Sequence, residues 1–426
     1  MFKEEYLFEY IDNLEREEKE IVEREIDIEL IKEKIIALIG PRRAGKSTYL
    51  KYIYKRMPEA LYLELEEEIF SFLSYEDIIK IISLVQEKYN KEIKVILLDE
   101  IQVMKDWERI VRSLLNRGYS IVITGSSSKL LSYEISTRLR GRTLSYLLLP
   151  FSFREFLKAK KHNFDKPHLL SLSEKIKLLN LLKEYLHHGG YPEIVLYPEL
   201  RERILKEYAQ TIFYKDFVDR FGIRSVDVAR FMFEFFRKNF SKEISVNKIA
   251  NYIKSVLHKN VKDTVYEYFS LLSETLFIFI LNHYSPTSYK TNLFKSYLCD
   301  TGFSLNKDIG FLMENVVFLE LKRRENTKPL QEVYYYKTRE SYEVDFLIKE
   351  GMGVKELMQV CYANSYDEIP EREIRALLHA KEELNLGDEV PLTVITWDYE
   401  DTREVEWWRK RGKIRFVPLW KWLLQV

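Results

Sequence analysis

The stretch GPRRAGKST, residues 40–48, carries the spacing G-x-x-x-x-G-K-[ST] from Gly40 to Ser47. That spacing suits a phosphate group. Gly40, Pro41, Arg42, Arg43, Ala44 and Gly45 wrap the backbone around an anion, and Gly45 permits close approach. Lys46 reaches the β/γ-phosphates and Ser47 binds Mg²⁺. Thr48 lies in the first turn of a helix whose positive end faces the anion. The loop follows the apolar run IIALI (35–39) and precedes helix-forming residues as far as Arg56. In VILLDE (95–100), Asp99 ends a second apolar run, where it holds Mg²⁺ through water. Glu100 is then placed to orient an attacking water. Together the two segments imply ATP as substrate and Mg²⁺ as cofactor.

A second constellation lies in EVDFLIKEGMGVKELMQVCYA, residues 343–363. Glu343 and Asp345 sit on one short apolar run, and a Gly-Met-Gly turn leads to another. A metal nuclease would need an acid and a lysine two residues apart on that second run. Gln359 and Cys361 stand there instead. Gln359 can offer a carbonyl oxygen but no charge, and hard cations prefer carboxylates. Cys361 cannot stabilise a developing phosphorane charge as an ammonium can. A hairpin that sets Lys337 opposite Glu343 would place Lys337, Glu343 and Asp345 on one face and restore the cation. The preferred reading of that pair is a plain cross-strand Lys–Glu contact on a sheet rim.

The elements that must position these residues follow from pattern. Residues 3–26 are charged and helix-like. Apolar strands at 35–39, 95–99 and 120–125, with a helix in DWERIVRSLLNRG, predict a parallel sheet covered on both faces. Residues 158–240 are mostly helical, broken by the turn HHGGYPE (187–193). Two short helices and a hairpin follow over 244–300, then a helix at 310–324. Strands, a hairpin, a helix at 371–384 and strands at 391–397 and 414–418 complete the chain. At 426 residues the length allows two to four domains. Lys+Arg and Asp+Glu both number 67, so any polyanion site must be a local patch. Two cysteines, no apolar signal core and no membrane-length apolar run predict a cytoplasmic protein without a disulfide framework.

The segments LLDEIQVMKDW (97–107), ITGSSS (123–128), LRGR (139–142) and LLPFSFREFL (148–157) resemble the archaeal AAA-type ATPases. YLHHGGYPEIV and TIFYKDFVDRFGI (211–223) match that family's helical region. The resemblance spans almost the whole chain. It implies an α/β fold: a P-loop ATPase domain over 1–157, a helical lid over 158–240, a winged helix over 241–304 and a nuclease-like α/β domain over 305–426. It also implies a γ-phosphate sensor, Ser126 with Thr124 as the alternative, and an arginine acting on a neighbour's phosphate, Arg142 or Arg140. The C-terminal domain is similar to Holliday-junction resolvases and restriction enzymes. Their helix glutamate falls on Glu314, their hairpin aspartate on Asp345, and their E-x-K pair on Gln359 and Cys361.

The partner expected from this resemblance is DNA, branched or junction-containing, and a homo-oligomer is allowed. In the winged helix, residues 261–274 would form the recognition helix, with Val265, Tyr268, Phe269 and Leu272 inward and Lys262, Thr264 and Glu267 outward. Basic and aromatic residues also mix in EWWRKRGKIRF (406–416) and LKRRENTK (321–328), making Arg409, Lys410 and Arg411 phosphate-contact candidates beside Lys262. The remaining alternatives are a signalling switch whose C-terminal half binds a protein, and a live metal-dependent nuclease. The degenerate E-x-K pair predicts weak or absent cleavage.

Overall fold

The computed structural model describes residues 3–17, 21–70, 73–126, 139, 141–163, 170–258, 261–285 and 292–425. The chain divides into two compact units, Met1–Leu149 and Pro150–Val426.

The first unit opens with helix α1 (Glu4–Arg16). The helix predicted to run to residue 26 stops at Arg16, and residues 21–31 have no regular structure. There Ile26, Ile28 and Leu30 alternate with charged residues and pack on a core that includes Tyr49 and Leu50. A period of two suits extended chain, not a helix face. The unit continues with β1 (Ile35–Ile39), α2 (Lys46–Arg56), β2 (Ala60–Glu64), α3 (Tyr75–Tyr89), β3 (Val95–Asp99), α4 (Trp107–Asn116), β4 (Ser120–Gly125) and β5 (Thr143–Leu147). The strands form one parallel sheet in the order β2-β3-β4-β1-β5. Every residue of β1 and β3 is buried, as expected where both faces of a parallel sheet are covered. The order places the C-terminal ends of β1, β3 and β4 side by side, and the phosphate-loop and carboxylate motifs both lie there.

The second unit begins with helices α5 (Phe153–Ala159), α6 (Leu172–His188), α7 (Pro192–Leu196), α8 (Arg201–Thr211) and α9 (Val226–Lys238), with a π-helical stretch at Ile212–Asp219. Ser152 with Glu155, and Ser171 with Glu174, cap α5 and α6 reciprocally. Next come β6 (Glu243–Ser245), α10 (Val246–Leu257), α11 (Lys262–Glu274), β7 (Ile278–Asn282) and β8 (Leu293–Leu298). The three strands pair antiparallel in the order β6-β8-β7. On α11, Val265, Tyr268 and Leu272 are buried. Phe269 is half-buried, stacked between Phe236 and Phe294.

The chain ends with α12 (Ile309–Arg324), β9 (Gln331–Lys337), β10 (Glu343–Glu350), β11 (Gly353–Val360), α13 (Glu371–Glu383), β12 (Leu392–Thr396), β13 (Asp401–Trp407), β14 (Lys410–Pro418) and α14 (Leu419–Leu424). Its six-stranded sheet has the order β13-β14-β12-β11-β10-β9. Strands β11, β12 and β14 run parallel, and the remaining pairings are antiparallel. Leu377 and Leu378 of α13 join Leu357, Val394 and Phe416 of the sheet in one core. The three-stranded sheet meets the β9 edge: Tyr284 N donates to Tyr335 O at 2.7 Å, and Lys337 Nζ to Glu243 Oε1 at 2.9 Å. No described helix is long and apolar enough to cross a membrane.

Candidate nucleotide site and carboxylate cluster

Lys46 opens α2, and Gly45 before it has φ 102°, a left-handed conformation that glycine adopts without strain. Close packing also requires Gly40: a Cβ there would lie 2.0 Å from Leu148 O. Lys46 is buried. Its Nζ donates to Gly40 O and Pro41 O, both at 3.1 Å, and stands 3.6 Å from Glu100 Oε1. Pro41 and Ala44 are buried, Arg42 and Ser47 half-buried, and Arg43 and Thr48 exposed. Arg42 lies 3.8 Å from Glu66. The extended strap after α1 supplies a residue that the motif did not include: Arg24 donates to Ala44 O at 2.8 Å and to Leu149 O at 2.6 Å. Its guanidinium thus ties the loop to the chain beyond β5.

Asp99 is fully buried at the end of β3, where Tyr62 Oη donates to Oδ2 at 2.9 Å. Thr124 on the neighbouring strand β4 donates its hydroxyl to Asp99 Oδ1 and accepts from Glu100 N at 2.9 Å. One hydroxyl therefore braces both acids. Glu100 itself is left-handed, with φ 52°. Burial opposes its ionisation, but the Lys46 ammonium, the Gln102 amide and Arg42 outweigh it and hold the carboxyl below its ordinary value. Of the two sensor alternatives, Thr124 makes these contacts, and Ser126 is buried just beyond β4. Arg142 is exposed and donates to Asn116 Oδ1 at 2.9 Å. Arg140 and residues 127–138 lie outside the described residues.

In the C-terminal cluster the expected residues meet, joined by one the sequence did not nominate. Lys295 of β8, 1% exposed, lies 3.0 Å from Glu314 Oε1 and 2.8 Å from both Glu343 Oε1 and Asp345 Oδ1. Tyr297 Oη donates to Glu314 Oε1 at 2.7 Å. Gln359 is not an acid's substitute facing outward: its Oε1 accepts from Asp345 N at 2.6 Å, and its Nε2 donates to Glu343 O at 3.0 Å. The side chain thus splints the two strands. Cys361 lies in the α13-covered core, where burial pushes its thiol up to about 12.

The hairpin register does pair Lys337 with Glu343. Both readings of Lys337, restoration of the cation and a plain contact with Glu343, are nevertheless overturned, because its ammonium turns to Glu243 on β6 while Glu343 faces Lys295. The lysine present comes from another sheet. Its signal was a charged residue inside the otherwise apolar-and-small run LFKSYL, an odd occupant for a buried strand.

The DNA-contact candidates divide. Lys262 is exposed at the start of α11. Residues 406–416, the basic and aromatic stretch expected to contact phosphates, form the β13–β14 hairpin, with Trp408 exposed and Arg409 in its turn. Lys410 pairs with Glu382, Arg411 faces Glu406 across the hairpin, and Lys413 faces Glu404. Alternation brings acids opposite bases, a pattern that sequence order hides. Arg323 donates to Pro150 O at 2.8 Å, and Arg324 stacks on Trp422, so both serve packing.

An AAA domain family matches residues 32–157. Two families, each described as a domain of unknown function (DUF8612 and DUF4143), match residues 179–307 and 309–408. The uncharacterized protein MJ1544 of Methanocaldococcus jannaschii is 38% identical over 100% of this chain and 96% of its own length. The chain belongs to the MJ1544 family of AAA-domain proteins. An uncharacterized protein of Haemophilus influenzae is 29% identical over 92% of this chain and 94% of its own. Among solved structures, Cdc6p from Pyrobaculum aerophilum matches with TM-score 0.26 and 11% identity, covering 69% of this chain and 88% of that one. The N-terminal unit is thus an AAA-type P-loop ATPase domain in an α/β chain with a separate C-terminal sheet.

Proposed function

We propose that the chain is a Mg²⁺-dependent ATPase whose second unit carries the nucleotide signal to a DNA partner. The observation that carries the ATPase reading is the convergence of Lys46, Asp99, Glu100 and Thr124 at the ends of adjacent parallel strands. A buried ammonium beside a left-handed glycine at a helix N-terminus fits a phosphate chain, and the nearby hydroxyl and carboxylate fit a hard cation. Ser47 and Asp99 would hold Mg²⁺, which supplies charge neutralisation for the phosphates. Lys46 exchanges its carbonyl partners for phosphate oxygens. Glu100, kept ionised, orients the attacking water and takes its proton. Thr124 holds Glu100 in position, and Arg142 is the candidate to reach a neighbouring copy's nucleotide.

The DNA reading is supported by a helix–helix–hairpin module of winged-helix type, with Lys262 exposed on its second helix. The acid cluster on a mixed sheet, set out like a nuclease centre without its E-x-K pair, supports it further. A second reading, a nucleotide switch acting on a protein, is favoured by the acid opposite each of Arg411 and Lys413. ATP turnover measured with duplex, fork, four-way junction and single-stranded DNA separates the two. Stimulation by DNA, with binding that weakens steeply between about 50 and 200 mM salt, supports the first. Turnover indifferent to every DNA, with no binding at low salt, supports the second.

A further inference from the structure

Lys295 is a cation buried within the fold, and such a charge must be met by its surroundings. Its strand β8 lies between β6 and β7, so its backbone is held on both sides, with Glu243 and Leu281 as its neighbours. The ammonium has three N–H groups, and it has three carboxylate neighbours: Glu314 on α12, and Glu343 and Asp345 on β10. Two of the acids have a further donor, Glu314 on the same Oε1 that faces Lys295 and Asp345 on its other oxygen. Tyr297 donates to Glu314, and Val360 N donates to Asp345 Oδ2 at 3.0 Å. Below the cluster, Tyr297 stacks on Phe318 with ring centroids 4.1 Å apart, which closes that side to water. Burial alone would strip the ammonium of its proton, but Asp345, Glu314, Tyr297 and Glu343 outweigh it and hold Lys295 well above its ordinary value.

We propose that Lys295 is the resident cation of this carboxylate cage: its ammonium takes the seat a metal ion would hold, ties β8 to α12 and β10, and keeps divalent cations out. Separations of 2.8 and 3.0 Å are those of charge-assisted N–H···O bonds, whereas Mg²⁺ takes oxygens at about 2.0–2.1 Å and Ca²⁺ at about 2.3–2.6 Å. A divalent ion entering beside the ammonium would meet its repulsion and find the inward lone pairs used. An ammonium also offers no open coordination position for a water, so a cage filled this way holds two sheets together and activates no nucleophile.

The test uses the full chain without nucleotide, in a Ser47→Ala background that removes one of the two cation ligands expected at the nucleotide site, Asp99 remaining in every variant compared. Calorimetric titration with Ca²⁺ and Mn²⁺ should find no site in the C-terminal unit when Lys295 is present. Lys295→Met leaves the carboxylates buried against each other and should lower the thermal midpoint by roughly 10 °C. Millimolar Ca²⁺ should recover much of that loss in Lys295→Met and shift the parent little. The charge-relieved chain Lys295→Met/Glu314→Gln/Asp345→Asn should fold and ignore Ca²⁺. Metal binding by the Lys295-containing parent that disappears with Asp345→Asn would overturn the proposal. So would a Lys295→Met chain as stable as its parent and indifferent to cations. If Lys295→Met does not fold, the titration of the parent alone still decides, because binding that depends on Asp345 refutes occupancy by the ammonium.

Discussion

Thr124→Val tests how the two acids of the candidate nucleotide site are held. The substitution keeps the shape of a β-branched residue on β4 and removes one oxygen. That oxygen donates to Asp99 Oδ1 and accepts from Glu100 N at 2.9 Å. Asp99 keeps the Tyr62 hydroxyl at 2.9 Å, so it is not orphaned. The Glu100 amide loses its acceptor in a part-buried setting, which costs about 1–3 kcal/mol, and the carboxylate loses one charge-assisted bond worth about 1.5–3 kcal/mol. One hydroxyl serves both, so a stability loss of about 2–4 kcal/mol is expected rather than the full sum. The larger effect falls on turnover. Glu100 sits at φ 52°, a conformation that costs a non-glycine residue on the order of 1–2 kcal/mol. Without the Thr124 hydroxyl its backbone can relax and move the carboxylate, and a displacement of about 1 Å lowers a rate ~10²-fold. The prediction is a kcat about 10²-fold lower with ATP affinity nearly intact, and recovery in Thr124→Ser. Steady-state turnover and binding of a fluorescent ATP analogue measure the two. A Thr124→Val kcat within about threefold of the wild type would refute the argument that this hydroxyl positions Glu100.

Lys46→Ala should weaken ATP binding, since it removes the buried ammonium, whereas Glu100→Gln should bind ATP and stall hydrolysis; equal turnover in Glu100→Gln would remove that residue from the water-orienting role. Burial, with the Asp345 charge adding to it, pushes the Glu314 carboxyl above its ordinary value against the pull of Lys295. A raised folded-state value means that this stability is fully present below the ordinary carboxyl range and is lost as the pH rises through the raised folded-state value. Denaturant midpoints should therefore fall less between pH 5 and pH 8 in Glu314→Gln than in the wild type, and parallel curves would count against it. Alanine at Arg409, Lys410 and Arg411 should weaken DNA binding equally on all sequences, though only modestly given Glu382 and Glu406 beside two of them; unchanged gel-shift affinity would move attention to Lys262. The wild type should show no Mg²⁺- or Mn²⁺-dependent cleavage of junction DNA, and cleavage abolished by Asp345→Ala would reverse that reading.

Sequence alone located the candidate nucleotide site because its parts are local. A phosphate loop is one contiguous turn between a strand and a helix, and an apolar strand ending in Asp99-Glu100 carries its own address, so residue order and spacing contain the geometry. The register between Lys337 and Glu343 was equally readable, since a short hairpin turn sets it. Where the side chains went was another matter. Lys337 found Glu243, 94 residues earlier in the chain, and Lys295 found Glu314 and Asp345, 19 and 50 residues away. Arg24 reached across the phosphate loop from a strap that looked helical. A charge taken out of water must be met by an opposite charge or by donors in its immediate shell. That shell is assembled from whichever elements packing brings together. The sequence shows that a lysine and three acids exist; only the docking of a three-stranded sheet onto β9 and α12 decides which lysine they surround.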